Sequence, residues 1–329
     1  MPREIGEDDH AGFDRPRGRS RPRTKDRPDY RKAEVGMVIT VDRGRYRCLV
    51  ADRTVTCTKA RQLGRKGVIV GDRVRVVGDT SGDEGTLARI VEVVDRETVL
   101  RRTADDDDPY ERPIVANASQ LVIVTALADP PPRTGMIDRI LVAGYDAGLD
   151  PLLCLTKADL APADALVAAY EPLGVPVVVT DPESDLAGLR QWLADERSVF
   201  VGHSGVGKST LVNRLIPDAY RETGVVNEVT GRGRHTSTSA IALQLPPPGG
   251  WVIDTPGVRS FGLSHVSPDR IVAAFGDLAE AVENCPRACP HTDGSRDCGL
   301  DQAVAAGSVS AARVESFRRM LTARGDDLP

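Results

Sequence analysis

A glycine-rich octet directly after an apolar β-type run most restricts the folds open to this chain. The run covers residues 198–201, and the octet GHSGVGKS covers residues 202–209. Apolar residues at helical spacing follow as far as Leu215, and Pro217 predicts the end of that helix. Strand, glycine loop and helix in this order are typical of a phosphate-binding loop, in which backbone N–H groups and the helix N-terminus face phosphate oxygens. The alternative is an ordinary glycine-rich turn.

The residue types of this loop predict separate roles in binding a nucleotide. Lys208 is expected to neutralise β- and γ-phosphate charge, and Ser209 is expected to ligate Mg²⁺. The full set of predicted phosphate-binding residues is Gly202, His203, Ser204, Gly205, Val206, Gly207, Lys208, Ser209 and Thr210.

A second motif, WVIDTPG over residues 251–257, fits the metal side of the same site. An apolar strand delivers Asp254 at its carboxyl end, and the N–H of Gly257 can meet a γ-phosphate. Between the motifs lies GRGRHTST, where either Thr236 or Thr238 is a candidate to close over Mg²⁺ and the γ-phosphate. A mobile surface loop is the alternative for that segment.

The sequence TKAD, from Thr156 to Asp159, predicts which base is bound. The Asp159 carboxylate can accept hydrogen bonds from guanine N1–H and N2–H₂, whereas adenine has no N1–H. Lys157 is expected to lie along the base, with Ala158 beside it, and Thr180 follows the next strand where a base-contacting loop fits. The sequence therefore favours guanine.

The order of these motifs predicts a circularly permuted α/β domain. Apolar runs at 121–124, 152–155, 175–179 and 199–201 alternate with helical stretches, which predicts a parallel sheet covered on both faces. In ordinary GTPases the base-reading motif comes after the phosphate loop, but here it comes before. The same sheet forms if the chain is cut and rejoined elsewhere.

Three cysteines and a histidine near the C-terminus have metal-ligand spacing. The pattern C-x3-C-x-H-x6-C predicts a closed, structural Zn²⁺ site with no position left for water. Free thiols with a surface histidine are the alternative. The ligands are Cys285, Cys289, His291 and Cys298.

The N-terminal third predicts a tail, a barrel and a linker. Residues 1–34 lack apolar periodicity and carry basic residues at alternate positions, which indicates a disordered tail that either solubilises the protein or contacts phosphates. Short β-type runs over 35–103 favour an OB-fold, with an SH3-like barrel as the alternative. The acidic run within 104–117 indicates a linker to a GTPase domain at 118–266, and 267–329 is the predicted helical zinc-binding domain.

Composition excludes several classes of protein. The net charge is −5 and aromatic residues make up 4% of the chain, so RNA contacts would be mostly electrostatic. No apolar stretch has the length of a membrane span, and the first residues lack the apolar core of a signal peptide. These features predict a cytoplasmic protein without a membrane partner.

Together, the motifs TKAD, GHSGVGKS, GRGRHTST and DTPGV, the Cys-Cys-His-Cys segment and the barrel resemble the ribosome small-subunit-dependent GTPase A family (RsgA, also called YjeQ). The resemblance covers about residues 35–325. It implies an OB-fold, a permuted GTPase domain and a zinc domain that bind the small ribosomal subunit and its rRNA late in assembly, with GTP hydrolysis stimulated by the subunit. The chain departs from the family pattern at Thr156, where GTPases commonly have Asn, and slightly in its zinc-ligand spacing.

The catalytic group is harder to predict than the binding groups. Val258 stands where Ras-like proteins have a water-orienting glutamine, and an aliphatic side chain cannot polarise water. His235 is therefore the candidate to orient water, with a solvated loop residue as the alternative. The predicted function is a GTP-hydrolysing, monomeric assembly GTPase. An ATP-using P-loop enzyme and an RNA-binding scaffold with a vestigial nucleotide site are the competing hypotheses.

Overall fold

The computed structural model describes residues 29–64, 67–102, 112–217, 240–255, 263, 266 and 268–325. Residues 1–32 separate as a unit of their own, of which 29–32 are described and include a turn. The basic part of the predicted tail therefore lies outside the described residues. The second unit, from Ala33 onward, contains the elements given below.

Five strands of the described chain form an OB-like barrel: β1 (Glu34–Asp42), β2 (Arg45–Val50), β3 (Arg53–Lys59), β4 (Arg73–Gly78) and β5 (Ala88–Val93). They pair in the order β1-β2-β3-β5-β4, and β4 pairs with β1 to close the barrel. The β3–β5 pair is parallel and the others are antiparallel. Alternate residues such as Val38, Cys48 and Val74 are fully buried inside it. The structure confirms the OB-like class over the SH3-like alternative.

The apolar run at residues 68–70 is not one of these strands. Val70 makes a single bridge to Val115, outside the barrel. At Gly71 (φ +87°) the chain turns so tightly that a Cβ would lie 1.9 Å from the carbonyl oxygen of Ala116. This close approach requires glycine and explains why the run meets the neighbouring hairpin instead of extending the barrel.

That hairpin consists of β6 (Val99–Arg102) and β7 (Arg112–Ala116). Residues 112–116 lie in the predicted linker, but they form a strand in which Val115 is buried in the same core as Leu100 of β6. The N–H of Ala116 donates to the carbonyl of Val70 at 2.9 Å. The acidic run of the predicted linker lies outside the described residues.

The larger part of the main sheet has the strand order β10-β9-β8-β11-β13-β12. Its strands are β8 (Gln120–Ala126), β9 (Asp150–Thr156), β10 (Val177–Val179), β11 (Arg197–Val201), β12 (Ile241–Gln244) and β13 (Trp251–Asp254). All neighbours are parallel except β12 and β13. β12 also pairs with β1 of the barrel, Thr40 opposite Ile241, so the two parts share one sheet.

Both faces of this sheet are covered, as predicted for a parallel sheet. Alternate residues of β8 belong to different cores, with Leu121 and Ile123 on one side and Val122 and Val124 on the other. The helices around the sheet are α1 (Thr134–Asp146), α2 (Asp164–Tyr170), α3 (Ala187–Leu193) and α4 (Lys208–Leu215).

The C-terminal region is helical, with α5 (Pro268–Val272), α6 (Gly276–Val282), α7 (Gly299–Ala305) and α8 (Ala311–Gly325). One face of α8 is apolar and buried, at Val314, Phe317, Met320 and Leu321. Arg319 of α8 donates to the buried carboxylate of Asp138 in α1 at 3.1 Å, so α8 is fixed to the sheet domain. No helix in the described ranges is both long and apolar enough to cross a membrane.

Candidate nucleotide site and metal centre

The octet forms a loop between β11 and α4, as its sequence predicts. Gly205 and Gly207 both have φ of +87°, a conformation that side chains disfavour. At Gly202 a Cβ would lie 2.4 Å from the carbonyl oxygen of Val124 on the neighbouring strand. These glycines let the backbone wrap closely in front of α4, where its N–H groups and the helix N-terminus can face an anion.

Lys208, the first residue of α4, is nine-tenths buried and contacts two oxygens. Its ammonium donates to the carboxylate of Asp254 and to the carbonyl of Thr255. Asp254 reaches this place because β13 lies parallel to β11, with Asp254 opposite Phe200. The predicted phosphate-side lysine and the predicted metal-side carboxylate therefore meet at the same edge of the sheet.

Thr255 fixes that edge. Its hydroxyl donates to the carbonyl of Phe200 at 2.7 Å, and its side chain is fully buried. The role of Thr255 could not be predicted from the sequence, because a threonine after an apolar strand gives no signal until the neighbouring strand is known.

Thr156 ties the base-reading motif to the phosphate loop. Its hydroxyl lies 2.6 Å from the carbonyl of Val206 and 3.3 Å from that of Thr125. A hydroxyl has one proton to donate, and the shorter contact is to the phosphate loop. Threonine here thus braces the loop with a single hydrogen bond, where an amide would have two N–H donors.

Beyond Thr156 lie the other residues of the predicted base-reading motif. Lys157 has φ of +59°, and its ammonium contacts the carbonyl of Asp129. Ala158 donates its N–H to the carbonyl of Thr180 at 3.2 Å, which joins this turn to the end of β10. Asp159 is exposed at the same sheet edge. Asp129 gave no sequence signal, because only its backbone takes part.

Like Val258, four predicted site residues lie outside the described residues: His235, Thr236, Thr238 and Gly257. Their assignments stay predictions.

The cysteine and histidine ligands lie together between α6 and α7. One ligand atom from each of the four residues lies within 4.8 Å of every other. Cys285 Sγ is 3.5 Å from His291 Nδ1 and 4.0 Å from Cys298 Sγ. A tetrahedral zinc site has S–N and S–S separations of about 3.6 and 3.8 Å, so the donor set fits the ion in chemistry and spacing.

Burial sets the protonation of this cluster in the absence of a metal ion. Burial and the neighbouring Cys298 thiol raise the pKa of Cys285 to about 11, whereas burial lowers the pKa of His291. A neutral imidazole is the form that binds metal. Arg318 of α8 donates to the carbonyl of His291 at 3.0 Å and forms a two-bond ion pair with Asp301. These contacts hold the ligand loop against the last helix.

Comparison with known proteins identifies the family. A family model described as RsgA GTPase matches residues 93–264. A protein from Pseudomonas syringae pv. tomato named "Small ribosomal subunit biogenesis GTPase RsgA" is 40% identical over 269 residues, which cover 79% of this chain and 76% of that protein. The chain belongs to the RsgA GTPase family. As a member it is a GTP hydrolase.

Solved structures of similar proteins agree with the fold. YjeQ from Thermotoga maritima has a TM-score of 0.65 at 24% identity and covers 89% of this chain and 99% of its own. YloQ, described as a circularly permuted GTPase, has a TM-score of 0.64 at 25% identity and covers 92% of this chain and 99% of its own. In this chain too, the base-reading motif after β9 precedes the phosphate loop after β11, which confirms the predicted permutation.

Proposed function

We propose that this GTPase binds the small ribosomal subunit, acts in its late assembly, and hydrolyses GTP to GDP faster when bound to it. The observation that carries the nucleotide-binding part of the proposal is the meeting of Lys208, Asp254 and Thr156 around one glycine loop. The ribosomal part is supported by the relative from P. syringae, which is named for small-subunit biogenesis and matches 79% of this chain.

Within the nucleotide site, residues 202–210 are proposed to bind the phosphates and Thr156 to Asp159 the guanine. Ser209 and Asp254 offer the hard oxygen ligands that Mg²⁺ prefers. Bound there, the ion would neutralise charge that develops on the phosphates. Lys208 would hold the β- and γ-phosphate oxygens, and Asp159 would accept from the guanine edge.

For hydrolysis, His235 is the proposed catalytic residue that orients water, because the side chain of Val258 has no polar atom for this. Thr236 or Thr238 is proposed to reach the metal and Gly257 the γ-phosphate, each on the sequence argument given above.

The Cys285 cluster is proposed to bind one structural Zn²⁺. Three thiolates and one imidazole fill a tetrahedral site and leave no position for water, so the role is structural. We propose module boundaries of 118–266 for the GTPase domain and 267–329 for the zinc-binding domain. The barrel strands span Glu34–Val93, and β6, which lies within the predicted barrel segment 35–103, pairs with β7 outside the barrel.

The barrel is proposed to contact rRNA by charge. Arg43, Arg45, Arg61 and Arg89 are exposed on its strands and loops, and Tyr46 is buried, which favours phosphate contacts over base stacking. The protein is proposed to act in the cytoplasm as a monomer.

The test is GTP hydrolysis with and without purified small subunits, with Lys208→Ala as the catalytically impaired control. Stimulation in the parent and none in the variant is expected. If added small subunits do not change the rate of GTP hydrolysis by the parent protein, the proposal that the subunit stimulates this GTPase is wrong. Equal competition by ATP would favour an ATP-using enzyme, and a Lys208→Ala protein that supports subunit assembly as well as the parent would favour a scaffold.

A further inference from the structure

The loop after β10 is closed by its own side chains. The carboxylate of Asp181 accepts from the N–H groups of Glu183 and Ser184 at 2.7 and 2.8 Å. The hydroxyl of Ser184 accepts from the N–H of Asp181 at 2.8 Å. The hydrogen bond from the Glu183 N–H contributes most to lowering the pKa of Asp181, so the carboxylate stays charged and the loop keeps this shape.

Arg214 holds both ends of this loop to α4. Its guanidinium donates to the carbonyl of Asp181 at 2.7 Å and to the carbonyl of Ser184. A planar guanidinium with two fixed donors sets direction as well as distance. Arg214 lies in the last turn of α4, about 9 Å along the helix from Lys208 at its start.

The same loop is joined to the base-reading motif. Thr180, which precedes it, donates its N–H to the carbonyl of Leu155 at 2.7 Å and accepts from the N–H of Ala158 at 3.2 Å. Hydrogen bonds thus connect Asp159's turn to Thr180, then the 181–184 loop, then Arg214 and the helix that begins with Lys208. The base-reading turn and the helix that follows the phosphate loop are therefore connected through one series of hydrogen bonds.

We infer that Arg214 is a positioning residue that sets guanine specificity by fixing the distance between the base-reading turn and the phosphate loop. The inference rests on the proposed nucleotide site. A carboxylate discriminates guanine only if it is held within about 0.5 Å of the productive position, because hydrogen bonds weaken steeply with misalignment. The triphosphate fixes one end of the nucleotide, so Arg214 determines how well the other end meets Asp159.

The experiment compares Arg214→Met with Arg190→Met in the full-length protein. Methionine keeps the stem of Arg214 and removes its donors. Arg190 is the matched control, because it donates to the last carbonyls of α4, at Arg214 and Leu215, at 3.2 and 3.1 Å. It therefore supports the same helix end through backbone acceptors on α4 itself. Dissociation constants are measured for GDP, IDP, which lacks the 2-amino group, and inorganic pyrophosphate, all with Mg²⁺.

In Arg214→Met we expect GDP affinity to fall about tenfold and the GDP-to-IDP preference to fall about threefold or more, as lost preorganisation predicts. Pyrophosphate affinity should stay at the parent value. Arg190→Met should keep the parent's GDP-to-IDP preference, even if its thermal midpoint falls by as much as that of Arg214→Met. Arg214→Lys should recover part of the preference.

An unchanged GDP-to-IDP preference in Arg214→Met overturns the inference while leaving the proposed function intact. A parent that binds GDP and ADP equally overturns both. If Arg214→Met does not fold, Ser184→Ala loosens the same loop from its other side, and an unchanged preference in that variant also overturns the inference.

Discussion

At the scale of single residues, Lys208 and Asp254 form an ion pair whose members are proposed to serve different parts of Mg²⁺·GDP or Mg²⁺·GTP. The lysine would bind phosphate and the carboxylate would bind the metal. An unneutralised Asp254 would repel phosphate, so binding of metal and nucleotide should be coupled.

For Asp254→Asn we therefore expect the improvement of GDP affinity by Mg²⁺ to be smaller than in the parent by about one to two orders of magnitude, since one charge-assisted contact of about 1.5 to 3 kcal/mol is lost. In EDTA the variant should bind GDP at least as tightly as the parent. Calorimetric titrations with Mg²⁺ and with EDTA measure both values. An identical Mg²⁺ dependence in the two proteins contradicts the proposed metal role.

Asp159→Asn should weaken GTP binding by about 2 kcal/mol or more, because an amide in place of the carboxylate sets a donor against the guanine N–H groups. Binding of ATP should change little. Asp164→Asn, at an exposed carboxylate on the nearby α2, is the control and should keep parent affinity for GTP. Calorimetry that finds GTP and ATP bound equally by the parent would refute guanine specificity.

Side chains proposed to contact the nucleotide or metal could be predicted from the sequence, because they belong to motifs. Side chains that only hold neighbouring segments in place could not. Lys208 and Asp254 carry motifs that predict their roles. Thr255 and Arg214 act through backbone carbonyls of Phe200, Asp181 and Ser184, and no local pattern predicts which carbonyl a fold will bring near. Their roles depend on strand order and helix placement.

At the scale of elements, the ligand loop between α6 and α7 is expected to depend on metal. Protein purified without chelator should contain close to one zinc per chain, and chelation should lower its thermal midpoint, because metal binding contributes to folding free energy. Cys289→Ser should lose zinc, whereas Ser295→Ala changes the same loop without removing a ligand. Less than about 0.3 zinc per chain by elemental analysis would contradict the assignment.

Two ion pairs made by arginines of α8 are expected to make the thermal stability fall at acidic pH. Ion pairing with Arg313 holds the pKa of Asp277 below its ordinary value, and Arg318 does the same for Asp301. A carboxyl whose pKa is lower in the folded protein than in the unfolded chain stabilises the fold above the unfolded-state pKa of about 4. This contribution is lost as the pH falls through the pKa of the folded state. Thermal midpoints from pH 6 to pH 3 should therefore fall less steeply in Arg313→Met and Arg318→Met than in the parent. Parallel curves would argue against these pairs.

Elements with strong periodicity were predictable and marginal ones were not. The alternation of buried strands and helices predicted the parallel sheet because both faces had to be covered. The run at residues 68–70 has the composition of a strand, yet at Gly71 and the buried Asp72 the chain turns, and the run makes only one bridge, to the β6–β7 hairpin. Arg96 donates to the two oxygens of Asp72 at 2.7 and 2.9 Å, an interaction between side chains far apart in sequence.

For the whole molecule, isolated protein should hydrolyse GTP slowly and purified small subunits should raise the rate by orders of magnitude, since Val258 cannot orient water. His235→Ala should lose most of the stimulated rate and keep GTP affinity, because the imidazole is assigned to the transition state. If subunits also raise the affinity for GTP over that for GDP, linkage requires the GTP form to bind subunits more tightly than the GDP form. Stimulation of His235→Ala equal to that of the parent would reject the catalytic assignment.

The pairing of β12 with β1 has a consequence for folding during synthesis. All pairings that close the barrel lie between Glu34 and Val93, so they can form as soon as that segment has left the ribosome. The bridge from Thr40 to Ile241 closes a loop of about two hundred residues and must wait for most of the chain. We therefore expect the barrel to form first and β1 to align the edge of the later sheet, so that folding proceeds from the N-terminal barrel toward the nucleotide site.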